Sequence, residues 1–365
     1  MLPPAVRSLV RTSPSVARVA DRAVLSVTGS QAGDFLNGIV SSSTAASATH
    51  LPAHFYTAFL HAQGRVLHDA FVYAHRDVSG VKGFLIEYDA RPSEAPPLLP
   101  TLKKYVLRRK VRIRDVSQEW DVWATWGSEM DGAWETQRRW LHASSGAIEP
   151  VWDNQDGAPW GSEPGVLRDR RAIGMGHRLL VRKGDSPRQA STHDTVSEAD
   201  YLLHRITHGV PEGIEDIVPM HAFPMESNLD VMGALDFRKG CFVGQELTVR
   251  TYHTGIIRKR ILPVLIEPSS GPTSGPSDIP SFPSDVDIRA QRTEADGGTP
   301  KPRPRGTGKL LSSTKGVGLA LLRLEHVAAV ENGTAALDME VGEEKTKWRV
   351  TPWWPGWWPH MPEHH

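Results

Sequence analysis

Apolar positions change period several times along the chain, and each change marks an element. From Ala23 a strand-like run through Val24, Leu25 and Val27 gives way at Gly29 and Ser30 to helical spacing at Ala32, Phe35, Leu36 and Ile39. Two more strand-like runs, Arg65 to Tyr73 and Gly83 to Tyr88, precede a Pro-rich turn and a helix over Leu98 to Leu107. Trp120, Val122, Ala124 and Trp126 alternate with Asp121, Trp123 and Thr125, which predicts a strand covered on both faces. Tyr201 to Ile206 reads as a helix that stops at Gly209 to Pro211, and Arg260 to Ile266 and Gly308 to Leu324 read as strand. Strands outnumber helices without strict alternation, so the pattern predicts an α+β protein and argues against a doubly wound parallel sheet.

Composition modifies this picture in three places. The segment Pro268 to Arg305 is rich in Pro, Ser, Gly and Asp, and is expected to be a disordered insertion in a loop of a β-rich C-terminal domain. Thr351 to Pro359 is broken by Pro352, Pro355 and Pro359, so its tryptophans either wrap over a domain surface or await a partner. The central indoles, Trp134 among them, are expected in cores. Residues 1–20 hold no Asp or Glu and carry Arg7, Arg11 and Arg18 among Ser and Thr, which fits either a transit-derived segment or a frayed terminus.

Charge and length limit the function classes. The 365 residues carry 42 Lys and Arg against 42 Asp and Glu, so no electrostatic footprint for nucleic acid is expected. No apolar run approaches the roughly 18 residues of a membrane helix, so membrane insertion is not expected either. The densest basic cluster, Lys103, Lys104, Arg108, Arg109, Lys110, Arg112 and Arg114, reads as a solvated helix face and strand, with anion binding as the alternative. Cys241 is the sole cysteine, which rules out an intramolecular disulfide and any all-cysteine metal site built from one chain.

Cys241 lies in the segment with the densest candidate chemistry. Gly240 and Gly244 flank it, Arg238 and Lys239 precede it, and Gln245 and Glu246 follow within hydrogen-bonding reach along the chain. Neighbouring cations stabilise a thiolate, yet a lone cysteine is equally a small buried hydrophobe, and local physics leaves both readings open. His204, His208, His221 and His253 share the segment without a defined ligand spacing. There is no Gly-rich phosphate loop, zinc-binding His-Glu-x-x-His helix or hydrolase nucleophile elbow.

The run Lys239, Gly240, Cys241, Phe242, Val243, Gly244, Gln245, Glu246 resembles the signature of the YgfZ family. These are relatives of the glycine cleavage T-protein and include mitochondrial iron–sulfur cluster assembly factors. Three other stretches agree in order: Phe35 to Gly38, with Asn37 where the family usually has Gln; Gly64 to Leu67 with Asp69; and His208 to Pro211 leading to Pro224 through Asp230. Ser41-Ser42-Ser43 departs from the family's usual Thr-x-Asp. The resemblance implies a T-protein-like α+β fold of two α+β domains and a C-terminal β-barrel around a central folate-like pocket. The expected organisation is a terminus over 1–20, α+β regions over 21–115 and 116–256 whose segments interleave, a barrel over 257–350 with the insertion 268–305, and a tail over 351–365.

The resemblance also implies an assembly factor for mitochondrial 4Fe-4S proteins in the matrix, acting with an A-type scaffold and client proteins. Cys241 matches the family cysteine and would be a shared cluster ligand. If a pterin pocket is retained for tetrahydrofolate, Arg65, Asp69, Glu226, Asn228 and Asp230 are its candidate residues. The alternatives are a tetrahydrofolate-dependent aminomethyl or methyl transferase and a folate-binding regulator.

Overall fold

The computed structural model describes residues 2–44, 53–128, 138–152, 158–269, 279–292 and 306–359. Trp134 and parts of the expected insertion (270–278 and 293–305) and tail (360–365) lie outside the described residues. The chain divides into two compact units. One comprises Met1–Val10, Leu202–Pro211 and Ile257–Trp358, and the larger is built mainly from Arg11–Tyr201 and Glu212–Ile256.

Whereas Leu202–Pro211 belong to the smaller unit, the larger unit takes in residues from both 21–115 and 116–256 and holds two five-stranded sheets. Its strands are β1 (Ser15–Arg18), β2 (Arg22–Thr28), β3 (Phe55–Leu60), β4 (Val66–Arg76), β5 (Lys82–Asp89), β6 (Arg112–Asp115), β7 (Trp120–Trp126), β8 (Arg139–His142), β9 (Ile148–Val151), β10 (Val166–Arg168), β11 (His177–Arg182) and β12 (Asp194–Val196). The sheet orders are β3-β4-β5-β2-β6 and β10-β11-β7-β1-β12, and β8 pairs with β9. Every pairing is antiparallel except β1 with β12. The predicted helix appears at Leu98–Val106, after the Pro-rich turn.

The N-terminal residues do not form a loose tail. β1 is enclosed between β7 and β12, with Val16 and Ala17 fully buried, and Val6 is buried in the smaller unit. Val6, Val16 and Ala17 supply apolar anchors, so the Arg- and Ser-rich composition around them does not prevent ordering.

Opposite charges stitch the two sheets together. Glu87 on β5 accepts hydrogen bonds from Arg178 on β11 at 2.8 Å and from Arg22 on β2 at 2.7 Å. Glu212 pairs with Arg178 at 2.9 Å and with Arg171 at 2.7 Å, while Asp169 takes Arg171 at 2.6 Å. Burial pushes the Glu87 carboxyl up, but Arg178 and Arg22 outweigh it and hold the group below its ordinary range.

The smaller unit is a closed six-stranded barrel in the order β13-β16-β15-β14-β17-β18, with β13 at Lys259–Pro268, β14 at Asp287–Arg292, β15 at Gly308–Thr314, β16 at Val317–Arg323, β17 at Ala335–Val341 and β18 at Thr346–Pro352. The expectation of a wholly disordered segment over 268–305 is corrected here. β14 pairs with β15 and β17, and Ile279, Phe282 and Ile288 are buried in the barrel core. These three apolar residues in a polar segment are enough to seat it on the barrel. The described part of the tail is likewise packed: Trp353 joins the cluster of Val6, Leu203 and Ile206, and Trp354 Nε1 donates to Glu331 Oε1 at 2.7 Å.

His68 on β4 carries a testable consequence. It is buried edge-on against Tyr88, with ring centroids 5.2 Å apart, and burial pulls its imidazole down from 6.5 to about 4. Above pH 6.5 both folded and unfolded chains carry it neutral; as pH falls toward 4 only the unfolded chain takes up the proton. Stability therefore drops over that window by up to about 1.4 kcal/mol per pH unit. Urea unfolding of His68→Leu is expected to show a flatter pH profile between these limits, and a profile parallel to the parent would contradict the assignment.

Candidate functional site

Cys241 lies on an exposed loop between the turn at Asp236 and the helix Gln245–Thr254. The loop is held from beneath by contacts to two distant segments that the sequence had marked as motifs. Lys239 donates from Nζ to the carbonyls of Asn37 at 2.7 Å, Val40 at 2.6 Å and Ser42 at 2.8 Å. Helix Ala32–Asn37 has just ended there, so these carbonyls include groups with no helical partner to come. Burial pulls the Lys239 ammonium down to about 8, still above neutral pH, so at pH 7 Nζ carries three protons for three carbonyls. All three Nζ donors are thereby engaged with backbone oxygens, so Lys239 makes no hydrogen bond to the thiol.

The second attachment is steric. Gly244 has φ +81°, and a Cβ there would fall 2.3 Å from the His61 carbonyl oxygen at the end of β3. Gly64, with φ +75°, faces it: a Cβ at that position would fall 2.9 Å from Leu247 Cβ and 3.3 Å from the Gly244 oxygen. Two glycines therefore let the turn between β3 and β4 dock on the start of the cysteine-loop helix. Gly240 is different, with nothing within 4 Å of its missing side chain. Phe242 is buried, its N–H bonded to Gln245 Oε1 at 3.2 Å, whereas Glu246 is exposed in the first helical turn and Val243 is half-buried.

The serine run also supports this loop. Ser41 and Ser42 are buried, and their hydroxyls donate to the Ala234 carbonyl at 2.7 and 2.8 Å. The Asp236 N–H donates to the Ser41 carbonyl at 3.0 Å, which fixes the chain just before the signature.

Three of the five candidate pterin residues, Arg65, Asp69 and Asp230, contact the protein's own groups. Arg65 lies over the Phe223 ring at 3.5 Å and donates to the His221 carbonyl at 2.5 Å. Asp69 is buried; Oδ1 accepts from Gly213 N–H at 3.1 Å and Oδ2 from the Tyr56 hydroxyl at 3.2 Å. Burial pushes its carboxyl up against the opposing pull of Arg22. Asp230, also buried, accepts from the Ile148 N–H at 2.9 Å and so holds β9. Asn228 is fully buried with φ +64°, and Glu226 is half-buried. Asp69 and Asp230, buried and bonded to the protein's own groups, do not fit the part of free carboxylates facing a pterin.

Comparison with known proteins gives the family. The chain is 40% identical over 334 residues to the mitochondrial iron–sulfur cluster assembly factor IBA57 homolog of Cryptococcus neoformans, covering 86% of this chain and 84% of the relative. It is 37% identical to the protein of the same description from Pyricularia oryzae, covering 92% of this chain and 82% of that one. The chain belongs to the IBA57 family. Residues 258–360 match the family model described as the CAF17 C-terminal beta-barrel domain. The fold is that of the glycine cleavage system aminomethyltransferase T from Bartonella henselae, with a TM-score of 0.59 at 14% identity over 95% of this chain and 87% of that structure.

Within this IBA57-family chain, sequence reasoning missed the residues that brace the loop from its C-terminal side. Glu149 accepts from Arg238 at 3.1 Å and from the Tyr252 hydroxyl at 2.5 Å, and Phe237 stacks on Tyr252 with centroids 4.0 Å apart. Burial and Glu149 push the Tyr252 phenol up to about 12. Glu149 lies some ninety residues earlier, on β9, and no local pattern could have joined it to Tyr252.

The contrast between the two glycines is testable. Gly244→Ala is expected to destabilise the larger unit by about 2 kcal/mol, from the left-handed backbone and the collision with the His61 carbonyl. Gly240→Ala is expected to stay within about 0.5 kcal/mol of the parent. Equal losses in chemical denaturation would contradict this division of roles.

Proposed function

We propose that this chain acts in assembly of iron–sulfur clusters, with the cluster as cargo and Cys241 as one of its ligands while it is shared with a partner. The observation that carries the reading is that the chain's single cysteine is exposed on a loop whose flanks are pinned by two other family motifs. The relatives' names agree with it. One chain with one cysteine supplies a single thiolate to such a cluster, and we assign the remaining ligands to a second protein. Among the described residues no group of three or more His, Cys, Asp or Glu side chains could hold a metal ion alone. An A-type scaffold carrying a 2Fe-2S cluster is the partner we assign, 4Fe-4S proteins are the clients, and the mitochondrial matrix is the compartment.

The folate-dependent transferase reading draws support from the fold alone. The engagement of Asp69 and Asp230 by Gly213, Tyr56 and Ile148 weighs against it.

The test is anaerobic mixing of the protein or its Cys241→Ser variant with a cluster-loaded A-type scaffold, followed by visible circular dichroism and mass on size exclusion. The parent is expected to form a complex with an altered cluster spectrum. The exposed serine variant is expected to keep its stability within about 0.5 kcal/mol and to lose that spectrum. A normal mixed complex from Cys241→Ser would show that the thiol is not a ligand, and tetrahydrofolate-dependent turnover independent of Cys241 would favour the transferase.

A further inference from the structure

The larger unit contains a cleft remote in sequence from the cysteine loop, with a volume of about 280 Å³, near the lower end for small-molecule pockets. Its floor follows from strand register. Arg114 on β6 stands opposite Ser26 on β2, which stands opposite Leu85 on β5. One row along, Arg112 stands opposite Thr28, Thr28 opposite Gly83, and Gly83 opposite His75 on β4. Directly paired residues share a face, so Arg112, Arg114 and His75 lie on the same side of the sheet. The two arginines are two residues apart on one strand, about 7 Å along it.

The wall comes from the other sheet of the same unit. Trp120 on β7 meets His75 edge-on with centroids 6.3 Å apart, and the Arg182 guanidinium on β11 lies 4.2 Å from the centre of the indole. The local acids are already committed. Glu119 pairs with Arg182 at 3.2 Å, and Asp77 Oδ1 accepts the N–H groups of Ser79 and Val81, each at 2.9 Å. Arg112 and Arg114 are exposed and have no acidic partner among the described residues. The cleft thus combines two guanidinium forks without an acidic partner on one strand, two further arginines in Arg76 and Arg182, and an aromatic wall in Trp120.

We infer that this cleft binds a small polyanion carrying at least two phosphate or carboxylate groups, with Arg112 and Arg114 each taking one acidic group. The site is independent of cluster handling at Cys241. The basic segment, whose sequence fits either a solvated face or an anion site, divides accordingly: Arg112 and Arg114 line the cleft, and Lys103 and Lys104 on helix Leu98–Val106 do not.

The test is calorimetric titration of the full chain with pyrophosphate and, separately, with citrate at low ionic strength. The parent is expected to bind at least one of them saturably with one site per chain. Tighter pyrophosphate would assign a phosphorylated ligand, and tighter citrate a polycarboxylate. Arg112→Glu/Arg114→Glu, on exposed side chains, should weaken binding at least about tenfold, as should the milder Arg112→Gln/Arg114→Gln, with unchanged circular dichroism. Lys103→Glu/Lys104→Glu, equal in charge change to the first pair, should weaken it less than about threefold. No saturable binding of either anion, or equal loss in the arginine and lysine charge reversals, would overturn the proposal.

Discussion

The cysteine loop depends on a charge that is bonded to backbone. Lys239 brings an ammonium against three carbonyls at 2.6 to 2.8 Å, and it is the link between the signature loop and the turn after helix Ala32–Asn37. A compact ammonium with three donors suits three converging oxygens in a way that the planar fork of arginine does not. With those donors engaged on backbone, what the structure gives the thiol is exposure and a fixed position. The glycine pair Gly64 and Gly244 supplies the second constraint, a close approach of two turns that any side chain would prevent. Under the proposed function, presentation of a single ligand from a braced loop would suit a shared cluster, the partner finding the sulfur where its own ligands leave a position open.

Elsewhere in the larger unit, ionisable groups are used for architecture. Glu87 and Glu212 are nearly inaccessible, the first meeting two arginines and the second three, so charges that would be costly alone are paired. Asp69 borders this network and is bonded to Tyr56 and Gly213. In a fold shared with an aminomethyltransferase, these bonds occupy carboxylates that sequence reading assigns to a pterin.

Much of this was legible in the sequence because the signals were local. The alternation at Trp120 to Trp126 appears as β7, and the helix expected over Leu98 to Leu107 appears at Leu98–Val106. The signature around Cys241 pointed to the family. What escaped was set by contacts between distant residues. Lys239 looked like a thiolate partner because it adjoins Cys241 in sequence, whereas its ammonium reaches residues some two hundred positions earlier. Glu149 had no motif, and β14 was hidden because a few apolar residues in a Pro- and Ser-rich stretch were enough to complete a barrel. Composition averages over a segment, but a strand needs only its inward-facing positions to be apolar.

The uniqueness of Cys241 makes the central claim directly measurable. Growth on cysteine labelled with carbon-13 at Cβ places one label in the whole chain. Pulsed electron–nuclear double resonance on the reduced cluster in the complex with unlabelled scaffold then reports whether that carbon is bound through sulfur to iron. A resolved carbon-13 hyperfine coupling is the predicted result. A cluster-containing complex in which that coupling is absent would contradict the account.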